Sequence, residues 1–222
     1  AVVDKPSGML IHRGMDRAPI VLVDLVRRAT GRSKVHPIGR LDRGASGVVL
    51  FALDPDAART LQAEDLHVAV EKTYLVLVRG EAPEDGLIDH PIPRRPGGPR
   101  VAARTAWRRI EVIDCAPRAL SLLEVTPHTG RLHQIRRHLK HANHPVIGDT
   151  THGRGPLNRA CRELYALHRL ALHAHTLRVR HPGTGERIRV SAPLPGDLSG
   201  PLTRMGLDWS QVPDIVLPGR EF

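Results

Sequence analysis

The chain has 222 residues, with 33 Lys+Arg against 23 Asp+Glu, a formal charge of +10 at neutral pH. That length suits one large domain or two small ones, since domains run roughly 100–200 residues, and 41% apolar content supports a packed core and argues against wholesale disorder. The apolar, charge-free stretch from Gly44 to Leu53 is far shorter than the ~18–20 residues a bilayer-spanning helix needs. No secretory leader pattern opens the chain. Two cysteines, Cys115 and Cys161, make neither a disulfide framework nor a four-ligand zinc site and fit reduced thiols of a cytoplasmic protein.

Of the basic residues only Lys5, Lys34, Lys72 and Lys140 are lysines. Arginine suits bidentate phosphate contacts, although a coding bias gives the same count. The distribution is more telling. Ala1–Thr126 carries 19 basic and 16 acidic residues (+3), Pro127–Arg180 carries 10 and 2 (+8), and His181 onward carries 4 and 5 (−1).

In chain order, Ala1–Lys5 reads as the end of a strand and Pro6-Ser7-Gly8 as a turn. Ile20–Ala29 has a helical pattern closed by Gly31. Gly47–Leu53 is a buried strand, followed by Asp54 as N-cap and Pro55 in the first turn of a helix to about Leu66. Thr73–Val78 is another strand, and Pro83–Pro99 reads as a surface excursion rich in Pro, Gly and Arg. Arg104–Asp114 and Leu120–Val125 look like paired strands.

Arg131–Asn143 predicts an amphipathic helix stopped by Pro145. At 100° per residue Leu132, Ile135, Leu139 and Ala142 share an arc of ~80°, with Arg136, Arg137 and Lys140 on the outer face and Arg131 at the stripe's edge. Leu170–Val179 and Ile188–Val190 are terminal strands, and a tail from about Pro193, with one short helix, is expected to be peripheral. The elements read as a mixed α/β chain with no composition break strong enough to mark a linker.

Three segments can carry chemistry. Gly39-Arg-Leu-Asp-Arg-Gly-Ala-Ser-Gly47 sets one carboxylate, Asp42, between two arginines in a Gly-rich turn before a buried strand. Such an acid faces outward while the sheet holds it, although a plain ion pair or turn cap fits the same pattern. His128-Thr-Gly-Arg-Leu-His-Gln-Ile-Arg136 feeds the N-terminus of the basic helix, and no acidic residue lies between Pro127 and Gly148. Free N–H groups, the helix dipole and exposed arginines together favour a phosphate-bearing partner over a merely solvated face. Tyr74, one of two tyrosines, fits either cross-strand packing or stacking on an extruded base. His133, His138 and His141 point in different directions around the helix, and no zinc-ligand, P-loop or dinucleotide motif is present. A metal or nucleotide cofactor is not expected.

Val3–Met9 with His12, Gly39–Gly47, Lys72-Thr-Tyr74, and His128–Arg136 with His144–Asp149 resemble, in order, the signature blocks of the RluA family of RNA pseudouridine synthases. The match runs from residue 2 to about residue 192. Arg136–His141, Gly148–Gly153 and Asn158-Arg159 are most similar to a tRNA-acting subgroup. The resemblance implies an α+β fold, a central mixed, mostly antiparallel sheet flanked by helices and loops in one domain spanning residues 1–222. It also implies a cytoplasmic isomerase that needs no cofactor or metal and uses Asp42 as essential aspartate. Arg40 would contact RNA and help displace the base, Tyr74 would stack on the flipped uracil, Arg131 would pair with Asp42, and Ile135 would line the uracil pocket. Arg136, Arg137 and Lys140 would meet RNA phosphates.

Two positions depart from the family pattern, Gly39 for a usual His and Ala45 for a usual Thr. No S4-type RNA-binding module precedes Lys5 in this sequence. A ribosomal RNA substrate, or a catalytically silent RNA-binding protein on the same scaffold, are the competing expectations. A carboxylate-pair glycosidase is disfavoured, because no second acid stands in a comparable turn.

Overall fold

The computed structural model describes residues 1–13, 18–63, 70–95 and 97–212. The class is α+β, with five helices among the described residues and a large mixed sheet, and the chain forms two compact units. Unit 1 comprises Ala1–Lys72 and Ala174–Ala192; unit 2 comprises Thr73–His173 and Pro193 onward.

In unit 1, β1 (Val2–Lys5) and β2 (His36–Ile38) both pair antiparallel with β3 (Ser46–Ala52). Every residue of β3 is buried, as its unbroken apolar run requires. Helix α1 (Leu22–Thr30) ends at Gly31, whose φ of 67° is the left-handed C-terminal conformation glycine adopts readily. Its Leu22, Val23 and Val26 pack with Ile11, Val35, Val49 and Phe51. Helix α2 (Pro55–Ala63) starts as its sequence implies: the Asp54 carboxylate accepts the Ala57 N–H at 2.8 Å. Its expected end near Leu66 lies outside the described residues.

Strand β4 (Val70–Arg79) begins in unit 1 and continues into unit 2, where it pairs with β9 (Leu120–Pro127); β9 pairs with β8 (Arg104–Ile113), and β8 with β5 (Asp85–Asp89). The segment expected to be a surface excursion therefore supplies a sheet strand, and buried Ile88 and Ile92 anchor it. A small hairpin of β6 (Ile92–Pro93) and β7 (Arg100–Val101) follows. Helix α3 (Gln134–His141) and helix α4 (Gly155–Tyr165) complete this region. Strand β10 (Leu172–Arg180) passes back into unit 1 and pairs with β11 (Arg187–Ser191).

The final segment is not peripheral. Leu198 and Leu202 of α5 (Gly196–Arg204), with Leu194, Met205, Leu207 and Val212, join Leu77, Leu122, Ile147 and Cys161 in the core of unit 2. A tail with that apolar spacing gains far more buried inside than exposed, at about 25 cal/mol per Å² of apolar surface.

Candidate active site

The Asp42 turn is built by two sequence blocks of unit 1. Gly39 leaves β2 with φ 81°, a conformation that costs an L-residue with a side chain ~1–2 kcal/mol. Glycine where the family usually has His thus suits the path of this chain. The Ala45 N–H closes the turn on the Asp42 carbonyl at 3.1 Å. Gly47 has φ 109°, and a Cβ there would lie 2.1 Å from the Ala174 carbonyl oxygen, so only glycine lets β3 start here.

Behind the turn stands Lys5, with no exposed surface. Its Nζ donates to the carbonyls of Pro6 (2.9 Å), Met9 (3.0 Å), Arg43 (3.2 Å) and Ala45 (2.6 Å). Carbonyl dipoles replace water around the buried ammonium. Ser7 Oγ donates to the Gly44 carbonyl at 2.7 Å, the Gly8 N–H to the Arg43 carbonyl at 2.8 Å, and Arg43 Nε back to the Gly8 carbonyl at 3.0 Å. The Lys5–Met9 segment and the Arg43–Ala45 segment are therefore stitched together, leaving Asp42 partly exposed and Arg40 exposed. Composition and spacing alone do not single out Lys5 or Ser7; position within the first family block is the available signal.

In unit 2, the loop before α3 is longer than expected. The helix starts at Gln134 rather than Arg131, because His133 takes a left-handed conformation, φ 53°. Gln134 is buried and uses all four of its hydrogen-bonding positions. Its Oε1 accepts Thr129 Oγ1–H at 2.6 Å and the Arg131 N–H at 3.1 Å; its Nε2 donates to the Arg104 carbonyl at 2.9 Å and Thr105 Oγ1 at 3.0 Å. Arg131 is thus a loop residue held at its backbone. Its exposed side chain donates from Nε to the Ala102 carbonyl at 3.1 Å.

Thr105 passes the network on to His138, a buried residue of α3. His138 Nε2 faces the His90 carbonyl at 2.9 Å and must donate, so its Nδ1 accepts from Thr105 Oγ1 at 2.8 Å. Burial, foremost, lowers the pKa of this imidazole, and the neutral ring is the form that fits both partners. Ile135 and Leu139 are buried beside it.

Arg136 corrects the expected outer face. It is 7% exposed and turned inward, with Nε and Nη2 bonded to Asp149 Oδ2 and Oδ1 at 2.7 and 2.8 Å. Asp149 also accepts the Thr151 and His152 N–H groups, each at 2.9 Å. Burial would raise this carboxyl, but the Arg136 hydrogen bonds and the two backbone donors outweigh it and hold the pKa at about 2. At 100° per residue Arg136 lies ~60° from Leu139, at the edge of the buried face, and the Asp149 carboxylate draws it inward. Arg137 is half-buried, bonding the Pro93 carbonyl at 3.0 Å, and Lys140 is exposed.

Tyr74 lies buried on β4 opposite Val125. On the unit 1 part of that strand, burial pushes the Lys72 ammonium down to about 8. Of the predicted site residues, Asp42 and Arg40 therefore stand in unit 1, and Tyr74, Arg131, Ile135, Arg136, Arg137 and Lys140 in unit 2.

Residues 1–141, which contain the Asp42 turn and the Arg131 loop, match the family model for RNA pseudouridylate synthase. The chain belongs to the RNA pseudouridylate synthase family. Among similar proteins, the tRNA pseudouridine synthase C of Haemophilus ducreyi (strain 35000HP / ATCC 700724) is 38% identical over 207 residues, covering 86% of this chain and 85% of the relative. That of Vibrio cholerae serotype O1 (strain ATCC 39315 / El Tor Inaba N16961) is 36% identical over 222 residues, covering 92% and 91%. Human RNA Pseudouridylate Synthase Domain Containing 1 superposes with a TM-score of 0.71 at 27% identity, over 89% of this chain and 81% of that one. Human RNA Pseudouridylate Synthase Domain Containing 4 gives 0.72 at 25%, over 93% and 90%.

As a member of this family, the chain is an isomerase acting on RNA. Among the described residues, no helix is long and apolar enough to cross a membrane.

Proposed function

We propose that this pseudouridine synthase acts on a uridine of tRNA in the cytoplasm, as one catalytic domain, with Asp42 as its essential carboxylate. The observation that carries the reading is the Asp42 turn, whose flanking carbonyls are fixed by the buried Lys5 ammonium while the aspartate itself stays partly exposed. The tRNA assignment draws its support from the names and coverage of the relatives.

In this reading the uridine is extruded, at a cost of a few kcal/mol of unstacking, and Tyr74 stacks on the uracil with Ile135 lining its pocket. Arg131 pairs with the Asp42 carboxylate through its guanidinium fork. The N1–C1′ glycosidic bond breaks, the uracil rotates, and a C5–C1′ bond forms. C5 loses its proton and N1 gains one, so atoms balance without an oxidant or co-substrate. Arg40, Arg137 and Lys140 contact the RNA around the extruded nucleotide. Arg136, spent on Asp149, positions α3 instead.

The test is release of tritium from RNA labelled at uracil C5. Wild-type protein should release label from tRNA, and Asp42→Ala should release none while melting like wild type. Release from ribosomal RNA but not tRNA would overturn the substrate, and release unaffected by Asp42→Ala would overturn the catalytic assignment. Mapping pseudouridine in tRNA from a deletion strain then locates the target.

A further inference from the structure

The charge partition of the sequence splits a group that the fold assembles. In unit 1, β10 and β11 pair with Arg178 opposite Arg189 and Arg180 opposite Arg187. Directly opposed residues point to the same side of a sheet, as do residues two apart on one strand. The four arginines therefore form a two-by-two ladder on one face, and all four are exposed. Their neighbours Leu177 and Val179 are buried on the other face.

Like charges directly opposite one another destabilise a strand pair. Between Thr176 and Ser191 there are four arginines and one acid, Glu186, a local excess of 4 − 1 = +3. Arg178 lies 3.4 Å from the Glu71 carboxylate, in an exposed pair. The turn joining the strands is ordered rather than slack. The His181 N–H donates to the Glu186 carbonyl at 2.7 Å, and His181 Nδ1 accepts the Gly183 and Thr184 N–H groups at 3.3 and 3.1 Å.

We propose that this arginine ladder is a second RNA-contact surface, taking backbone phosphates of the substrate away from the uridine being isomerised. The proposal rests on the family's action on RNA. Guanidinium forks match phosphate oxygens in pairs, and a polyanion laid across the ladder relieves the repulsion between its rungs. An anionic membrane fits less well, because the apolar side chains between the rungs are buried and nothing on this face can enter a bilayer.

The test uses the full chain with Arg180→Gln/Arg187→Gln, which leaves the Arg178–Glu71 pair intact. Binding to bulk tRNA should weaken, with the slope of log affinity against log salt reduced by about 2, one for each phosphate no longer neutralised. KM for full-length tRNA should rise severalfold with kcat unchanged, and Tm should hold or rise. Arg180→Lys/Arg187→Lys should restore most of the slope. An unchanged affinity and slope overturns the proposal, as does a loss confined to vesicles containing anionic lipid. Should the double variant not fold, Arg180→Gln alone must lower the slope by about 1. Because binding is read without turnover, failure here is distinct from failure of the tritium-release assay.

Discussion

Arg136 and Asp149, thirteen residues apart, meet as a buried bidentate pair at 2.7 and 2.8 Å. Removing one partner of such a pair strands the other charge, at a cost of ~3–5 kcal/mol. Arg136→Met should therefore lower Tm by roughly 6–20 °C, at 2–4 °C per kcal/mol for a chain of this size. Circular-dichroism melts check it, and an unchanged Tm would remove the pair from the stability of unit 2.

The same pair sets an acid limit. Asp149 has a folded-state pKa of about 2 against an ordinary 3.8. Its stabilisation, about 2 kcal/mol from that difference, is fully present above pH ~5 and is lost as pH falls through 3.8 towards 2. Urea melts of wild type should weaken across that window. Asp149→Asn should be less stable at pH 6 and show a shallower decline.

Lys5 is predicted to matter for activity although no step of the proposed reaction uses it. Lys5→Met keeps most of the volume but leaves four carbonyls without their shared donor, at a cost of ~3 kcal/mol. Tritium release should fall at least ~10-fold even at temperatures where the variant is folded, because a misplacement of about 1 Å can cost 10²-fold. Near-wild-type turnover in a folded Lys5→Met protein would show that the turn holds its shape without the clamp.

Gln134→Ala tests whether the loop before α3 depends on one carboxamide. The Thr129 hydroxyl and the Arg131 N–H lose their acceptor, and Thr105 Oγ1 and the Arg104 carbonyl lose a donor. Hydrogen exchange at the Arg131 amide should accelerate while the core amides of β9 stay protected. The cost to stability should be ~1–3 kcal/mol. Equal protection in the variant would place the hold on Arg131 elsewhere.

Two glycines of the Asp42 turn should each resist substitution. Gly47→Ala meets the Ala174 backbone as well as an unfavourable φ, so about 3 kcal/mol or more should be lost. Gly39→Ala carries the conformational penalty of φ 81°, ~1–2 kcal/mol. Chemical denaturation measures both, and a Gly47 variant as stable as wild type would contradict the geometry.

Local signals are readable where a residue's neighbours in sequence are also its neighbours in space. Asp54 before Pro55, Gly31 after α1 and the apolar run of β3 all behave as their spacing implies. The candidate Asp42 is readable for the same reason, since its turn is bounded by glycines whose backbone angles need them. Long-range partners set the rest. Nothing near Lys5 announces a buried ammonium, because its carbonyls include two some forty residues away. Arg136 looks like one more exposed arginine until Asp149 is brought beneath it. Helix α4 is hidden because Gly155-Pro156 suggests a loop, whereas proline there belongs to the first turn of a helix. The four-arginine ladder lies across a boundary drawn in sequence at residue 180.

The interleaving of the two units has a consequence for synthesis. Unit 1 takes its first 72 residues from the start of the chain and its last 19, Ala174–Ala192, from beyond the whole 101-residue block Thr73–His173. On the ribosome, the strand bearing Ala174, against which Gly47 packs, is made more than a hundred residues after Gly47 itself. The aspartate turn therefore spends that interval without one of its walls, and a chain stalled before residue 174 carries every residue of the turn but not the backbone that fixes where β3 begins. Late closure of this kind, with contacts far apart in sequence, is slow. A pool of nascent chains should accordingly acquire protease resistance in its first 72 residues only after β10 and β11 have emerged.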